Sequence, residues 1–163
     1  SVADEHYCTA ATQMIMAQLR ARMTRKAPNG RRLLALSVGG DLHDLGIRMV
    51  ADLFEMEGWS AEYLGANMPT SEVLVALSGP AEGGGAPAFD LIALSANTTL
   101  SVRAVISFIE AVRNHPTAGA TPIVVGGGAF RSVEDLWRIV GADGFAKDAM
   151  SALRVAEQLV SRS

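Results

Sequence analysis

Two aspartates, Asp41 and Asp44, flank His43 in the part of this sequence best suited to chemistry. An imidazole can act as a base, a proton shuttle or a metal ligand, and a nearby carboxylate fixes its tautomer and raises its basicity. The segment follows an apolar run over residues 33–38 and precedes an amphipathic run over residues 47–59. It therefore lies where a buried strand leads into a helix, and open α/β sheets bind ligands at that edge. We predict a ligand site around His43.

Two other apolar runs end in residues that suit a binding site. Ser95 follows residues 91–94, and three consecutive glycines at 126–128 follow residues 123–125. The glycines fit a tight turn from strand to helix, a slot free of side-chain bulk, or a phosphate-binding turn. The last alternative, a nucleotide-binding domain, lacks its GxGxxG pattern because Arg131 occupies the position of the third glycine.

The elements that position these residues alternate regularly after a breaker cluster at residues 27–30. The predicted strands cover residues 33–38, 61–64, 91–94, 123–125 and 144–145. The predicted helices cover residues 46–57, 71–77, 101–114, 133–140 and 147–161. Short apolar strands that alternate with helices predict an α/β fold whose parallel sheet is covered on both faces.

Composition narrows the class of protein. The chain has 163 residues, 49% hydrophobic and 19% charged, which is enough to build one domain with a substantial core. Its net charge is −3 and no basic cluster stands out, so we expect no direct binding of nucleic acid. No apolar run approaches the roughly 20 residues of a membrane helix. The single cysteine and the lack of a signal-peptide pattern lead us to expect a cytoplasmic protein.

The N-terminal segment is predicted to form a helix separate from the sheet. Residues 1–25 carry apolar side chains at steps of three and four, with Asp4 and Glu5 near the positive end of the helix dipole. One helix alone cannot bury such a stripe, so we expect the chain to be part of a longer polypeptide. We divide it into an N-terminal helix at residues 1–26 and a ligand-binding domain at residues 31–163.

The central motif resembles that of cobalamin (vitamin B12)-binding domains. Asp41, His43 and Gly46 match the DxHxxG motif, in which histidine replaces the cofactor's dimethylbenzimidazole as lower axial ligand of cobalt. Ser95 stands at the family's SxL element, although Asn97 replaces its leucine, and the glycines at 126–128 stand at its Gly-Gly pair. The resemblance covers most of the chain from residue 33. It implies a flavodoxin-like (Rossmann-type) five-stranded parallel sheet.

The resemblance also implies roles for individual residues. His43 binds cobalt, Asp41 accepts from its second ring nitrogen, and Ser95 hydrogen-bonds Asp41. The glycines shape a slot for the cofactor's nucleotide tail, and the LGxxxP segment after the second strand borders the corrin ring. Asp44 also suits a helix N-terminus without any site role. The predicted cofactor-binding residues are Asp41, Leu42, His43, Asp44, Leu45, Gly46, Leu64, Gly65, Pro69, Ser95, Ala96, Asn97, Thr98, Gly126, Gly127 and Gly128.

Two functions fit this resemblance, and the sequence favours the first. The helix around Glu5 and His6 resembles the last helix of the four-helix cap in light-sensing cobalamin regulators, where a Glu-His pair lies over the upper cobalt face. This implies a sensory or regulatory domain, and residues 1–26 as a remnant of its cap. The alternative is a corrinoid carrier of a methyl-transfer system, although residues 47–50 lack the Lys-Asn-Ile-Val of many carriers. A mutase cofactor domain and a cobalt-free flavodoxin-like domain are less favoured.

The expected cofactor is cobalamin, as its adenosyl, methyl or hydroxo form, with His43 as the lower ligand of cobalt. The expected partners are a helical cap and an output domain or regulator protein, with no membrane contact, and the sequence leaves homo-oligomerisation open. The chain holds no complete catalytic apparatus of its own. We therefore expect a cofactor-binding domain rather than an enzyme.

Overall fold

A computed structural model describes residues 2–20, 22–39, 44–78 and 88–161 of the chain. The strands are β1 (Arg32–Ser37), β2 (Ser60–Gly65), β3 (Leu91–Ser95), β4 (Ile123–Gly126) and β5 (Gly144–Ala146). The helices are α1 (Val2–Arg20), α2 (Leu45–Met56), α3 (Thr70–Leu77), α4 (Thr99–Arg113), α5 (Gly128–Ser132), α6 (Leu136–Ile139) and α7 (Ala149–Val160).

The five strands form one parallel sheet in the order β2-β1-β3-β4-β5. The α/β class predicted from the sequence pattern and the flavodoxin-like order implied by the resemblance are confirmed. Each predicted strand is present: β1 is shifted by one residue, and the other strands are one or two residues longer than predicted. Parallel strands must be joined by crossover connections, which explains the helix that follows each of the first four strands.

Two predicted helices differ from the structure. The helix predicted at residues 133–140 is wrong, because only the four residues of α6 are helical there and Val133, just after α5, is extended at φ −132° and ψ 118°. Asp135 adopts a left-handed conformation at φ 56°, immediately before α6. Such a residue cannot continue a right-handed helix. The N-terminal helix ends at Arg20 rather than at residue 25.

The two faces of the sheet bury different sets of side chains. Strand residues facing α3 and α4 are large, and they are Leu34, Leu36, Ile92, Leu94, Ile123 and Val125. Strand residues facing α2 and α7 decrease in size along β1 and β3, and the buried ones on this face are Leu33, Ala35, Leu91, Ala93, Val124 and Ala146. Side chains alternate between the two faces along a strand, so alternate residues of each strand make up the two sets.

Aspartates close the amino end of the sheet. Asp90, just before β3, accepts a hydrogen bond of 2.7 Å from the backbone amide of Arg32 at the start of β1. Asp143, just before β5, does the same for Ile123 at the start of β4, also at 2.7 Å. Arg113 at the end of α4 donates to Asp143 at 2.6 Å. These bonds fix the strand ends opposite the predicted ligand site.

Helix α1 is attached to α2 by charged side chains. The Nε atom of Arg20 lies 3.4 Å from the buried carboxylate of Asp52, and its Nη2 atom lies 2.5 Å from Glu55. Arg25 also contacts Glu55, at 3.0 Å. Several large apolar side chains of α1 are exposed, including Tyr7, Met14, Ile15 and Leu19. The division into an N-terminal helix and a ligand-binding domain stays a prediction. No helix in the described part of the chain is both long and apolar enough to cross a membrane.

Candidate functional site

Small residues form the carboxyl end of the sheet on the face toward α2 and α7. The last row in register across four strands consists of Ser37, Ser95, Gly126 and Ala146. The next row on the same face consists of Ala35, Ala93, Val124 and Gly144. Because these side chains are short, the sheet and the helices cannot close completely over this end.

A cavity of about 270 Å³ occupies this space. Its sheet wall includes Ala93, Ser95, Val124, Gly126 and Ala146. Its helix walls include Gly46, Ile47, Met49 and Val50 from α2, and Ala149 and Ala152 from α7. The charged lining residues are Arg131, Lys147 and Asp148. The interior is therefore apolar, and the charged groups belong to exposed residues at its mouth.

Three glycines after β4 permit very close contact between backbones. Gly127 has φ +100°, and a Cβ atom there would lie 2.3 Å from the carbonyl oxygen of Ala96. A Cβ atom at Gly128 would lie 2.9 Å from the Asn97 carbonyl oxygen, and one at Gly126 would lie 2.9 Å from that of Ala146. The glycines thus serve the tight turn directly, and Gly126 and Gly127 also line the cavity.

Hydrogen bonds hold this turn against the end of β3. The Ala96 amide donates to the Gly126 carbonyl at 3.0 Å, and the Ala129 amide donates to the Ala96 carbonyl at 3.2 Å. The side-chain oxygen of Asn97 accepts from the Gly128 amide at 3.2 Å. Asn97, which replaces the leucine of the SxL element, therefore has a structural role in joining the two strand ends.

The structure brings some of the predicted site residues together and separates others. Gly46, Ser95, Asn97, Gly126 and Gly127 line the one cavity. The other described members lie around the carboxyl end of the sheet but do not line the cavity. They are Asp44, Leu45, Leu64, Gly65, Pro69, Ala96, Thr98 and Gly128. Asp41, Leu42 and His43 lie outside the described residues, so their roles stay predictions.

Asp44 makes contacts that the sequence did not indicate. It is the N-cap residue of α2, but its side chain makes no capping hydrogen bond. Its carboxylate accepts from the Tyr63 hydroxyl at 2.5 Å and from Nε2 of Gln13 at 3.4 Å. Burial, and then the hydrogen bond to Asp44, raise the pKa of Tyr63 well above its ordinary value. The carboxylate thus binds neighbouring elements rather than the helix that it begins.

Sequence reasoning missed much of the cavity wall, although a signal was present. Residues 33–37 read Leu-Leu-Ala-Leu-Ser, and residues 91–95 read Leu-Ile-Ala-Leu-Ser. In both strands the alternate residues shrink from Leu to Ala to Ser toward the carboxyl end. This repeat predicts a sheet face that opens at one end, and it could have identified Ala93 as part of the wall.

Comparison with known families identifies the domain. The model of the B12 binding domain matches residues 31–154, which is most of the chain. The chain belongs to the B12-binding domain family. This membership supports cobalamin as the ligand. Within the described residues, no three His, Cys, Asp or Glu side chains converge. No curated protein sequence matches this B12-binding domain.

Solved structures of corrinoid proteins share the fold. A cobalamin-binding protein from Desulfitobacterium hafniense has a TM-score of 0.68 and 22% identity, over 80% of this chain and 59% of that chain. The monomethylamine corrinoid protein of Methanosarcina barkeri has a TM-score of 0.64 and 20% identity, over 81% and 57%. The methanol:cobalamin methyltransferase complex of the same organism gives 0.67 and 22%, over 81% and 47%. The matched part is thus only about half of each structure, and these identities establish the fold alone.

We predict that Gly127→Ala destabilises the domain more than Gly30→Ala. Both glycines have positive φ, +100° and +79°, but a Cβ atom at Gly30 would meet none of the described residues within 4 Å. Gly30→Ala should therefore lower the free energy of unfolding by about 1 kcal/mol through backbone strain alone. Gly127→Ala adds the collision with Ala96 and should cost about 3 kcal/mol. Urea unfolding of both variants measures the difference, and equal losses would contradict the structural role of Gly127.

Proposed function

We propose that this B12-binding domain holds cobalamin with the cofactor's own base displaced and His43 as the lower axial ligand. The apolar cavity beside Ser95 and Gly126 carries this proposal, because it offers room for a displaced base next to the strand end that precedes His43. The two last rows of this sheet face carry short side chains, so the space between the sheet and the helices stays open. Asp41 accepts from the second ring nitrogen of His43, and Ser95 hydrogen-bonds Asp41.

Three observations support the fit of this cofactor. The cavity interior is apolar, as a benzimidazole base requires. Arg131 and Lys147 stand at its mouth, where the phosphodiester of a nucleotide tail would meet positive charge. Gly46 begins the wall on the α2 side, and a Cβ atom there would meet nothing within 4 Å among the described residues.

The residues of this chain bind, orient and shield the cofactor. Bound cobalamin supplies a cobalt centre whose upper ligand can be exchanged, transferred or released by light. His43 would hold cobalt from below, while Leu64, Gly65 and Pro69 would border the corrin ring. Asn97 would line the tail slot, with Ala96 and Thr98 beside it.

We favour a sensory or regulatory role, which includes a response to light. Helix α1 supports this role because it presents exposed apolar side chains, among them Met14 and Ile15, to which further helices of a cap could pack. Glu5 and His6 lie at the start of this helix. The second candidate is a corrinoid carrier in methyl transfer, and it is supported by the fold shared with the methanol:cobalamin methyltransferase complex.

Absorption spectroscopy separates these functions. We expect protein mixed with adenosylcobalamin in the dark and then desalted to retain corrin bands. For a sensor, illumination should change these bands together with the assembly state seen by size-exclusion chromatography. Retained bands without any structural response to light would favour the carrier, and a colourless protein would reject cobalamin binding.

We predict that His43→Ala removes the spectrum of histidine-bound cobalamin. Affinity should fall by about tenfold or more, the scale on which metal sites respond even to the loss of supporting groups. His115→Ala is the matched control, because it removes an imidazole just after α4, near the opposite edge of the sheet. A His43→Ala protein with the spectrum and affinity of the parent would contradict the ligand assignment.

We also predict that the double variant Arg131→Gln/Lys147→Gln weakens binding of cobalamin but not of cobinamide, which lacks the nucleotide. Each lost charge should reduce cobalamin affinity by roughly threefold, as for an exposed ion pair. Arg138→Gln is the control, because Arg138 pairs with Asp135 at 3.1 Å and does not line the cavity. Equal losses for the two corrinoids would show that these cations do not face the nucleotide tail.

A further inference from the structure

Tyr63 makes a hydrogen bond to Asp44 near the carboxyl end of the sheet, outside the cavity. It lies on β2, is half-buried, and donates its hydroxyl hydrogen to Oδ2 of Asp44 at 2.5 Å. The other carboxylate oxygen of Asp44 accepts from Gln13 of α1, at 3.4 Å. One carboxylate therefore joins the start of α2 to β2 and to α1.

The surroundings of Tyr63 favour a protonated, fixed hydroxyl group. Its ring packs against the core between the sheet and α2, and the guanidinium of Arg48 lies over it at 6.0 Å from the ring centre. A tyrosine hydroxyl is protonated at neutral pH already at its ordinary pKa, and burial and the neighbouring carboxylate raise the pKa of Tyr63 further, so the hydroxyl is a donor. A hydrogen bond to a charged acceptor is stronger than one between neutral groups.

We propose that Tyr63 is a positioning residue for cobalamin ligation and acts through Asp44. This inference rests on the proposed function, in which His43 binds cobalt. His43 is bonded covalently to Asp44, so the contact that fixes Asp44 fixes one end of the segment that carries the ligand. Ligand geometry in a metal site must be held within about 0.5 Å, and this is the work of supporting hydrogen bonds.

Gln13 of α1 also helps to hold Asp44 in place, but more weakly than Tyr63 does. Its hydrogen bond to Asp44 is longer than that of Tyr63, at 3.4 Å against 2.5 Å, and is therefore weaker. Gln13→Leu should therefore weaken cobalamin binding less than the loss of the Tyr63 hydroxyl does.

The test compares the two tyrosines of the chain. Tyr63→Phe removes the hydroxyl and keeps the ring that packs against the core, whereas Tyr7→Phe removes an exposed hydroxyl on α1. We expect Tyr63→Phe to weaken cobalamin binding by about tenfold and to lower the histidine-bound fraction in the absorption spectrum. Tyr7→Phe should match the parent, whereas Tyr63→Phe should stay folded with a modest fall in the unfolding midpoint of the cofactor-free protein.

A double-mutant cycle tests the route through Asp44. If Tyr63 acts through this carboxylate, Tyr63→Phe should add nothing to the loss caused by Asp44→Ala. Independent, multiplying losses would overturn the proposal, and so would parental affinity and spectrum in Tyr63→Phe. The His43→Ala variant distinguishes failure of the positioning role from failure of the proposed function. If His43→Ala alters the spectrum while Tyr63→Phe does not, only the positioning role of Tyr63 fails. If the parent binds no cobalamin, the proposed function fails together with it.

Discussion

The size of the side chains at one end of one sheet face governs the rest of this structure. Facing α2 and α7, the strands end in Ser37, Ser95, Gly126 and Ala146, and none of these can fill the space that larger residues fill elsewhere. The opposite face keeps leucine, isoleucine and valine to the same depth. Burial of large apolar groups on that face stabilises the fold. The domain can therefore keep a cavity on the other face, and the glycine turn and the N-cap of α2 lie around it.

The glycine turn illustrates how stability and ligand space depend on the same residues. Gly127 allows the backbone after β4 to approach that of Ala96, and hydrogen bonds from Ala96 and Ala129 hold the two segments together. Gly126 and Gly127 also leave their side of the cavity free of side chains. The glycines thus form a tight turn and also leave space for a ligand, because both depend on the absence of side chains where the backbone after β4 approaches Ala96.

Local patterns predicted the sheet well because buried parallel strands are short, apolar and separated by helices. The Ser95 and glycine motifs were also visible, since each directly ends a strand. The helix prediction for residues 133–140 failed because Asp135, in a left-handed conformation, interrupts an otherwise helical pattern. The bond between Tyr63 and Asp44 could not be predicted, since the two residues are 19 positions apart and meet only when β2 packs beside α2. The roles of Asp41 and His43 stay predictions.

Helix α2 has a different neighbour on each of two sides. Gly46, Ile47, Met49 and Val50 line the cavity, whereas Asp52 and Glu55 pair with Arg20 of α1. A helix moves nearly as a rigid rod, because its backbone hydrogen bonds link every turn to the next. A displacement of the cavity wall on α2 would therefore also move the carboxylates that pair with α1. Helix α2 is thus in contact with both the interior of the domain and its N-terminal helix.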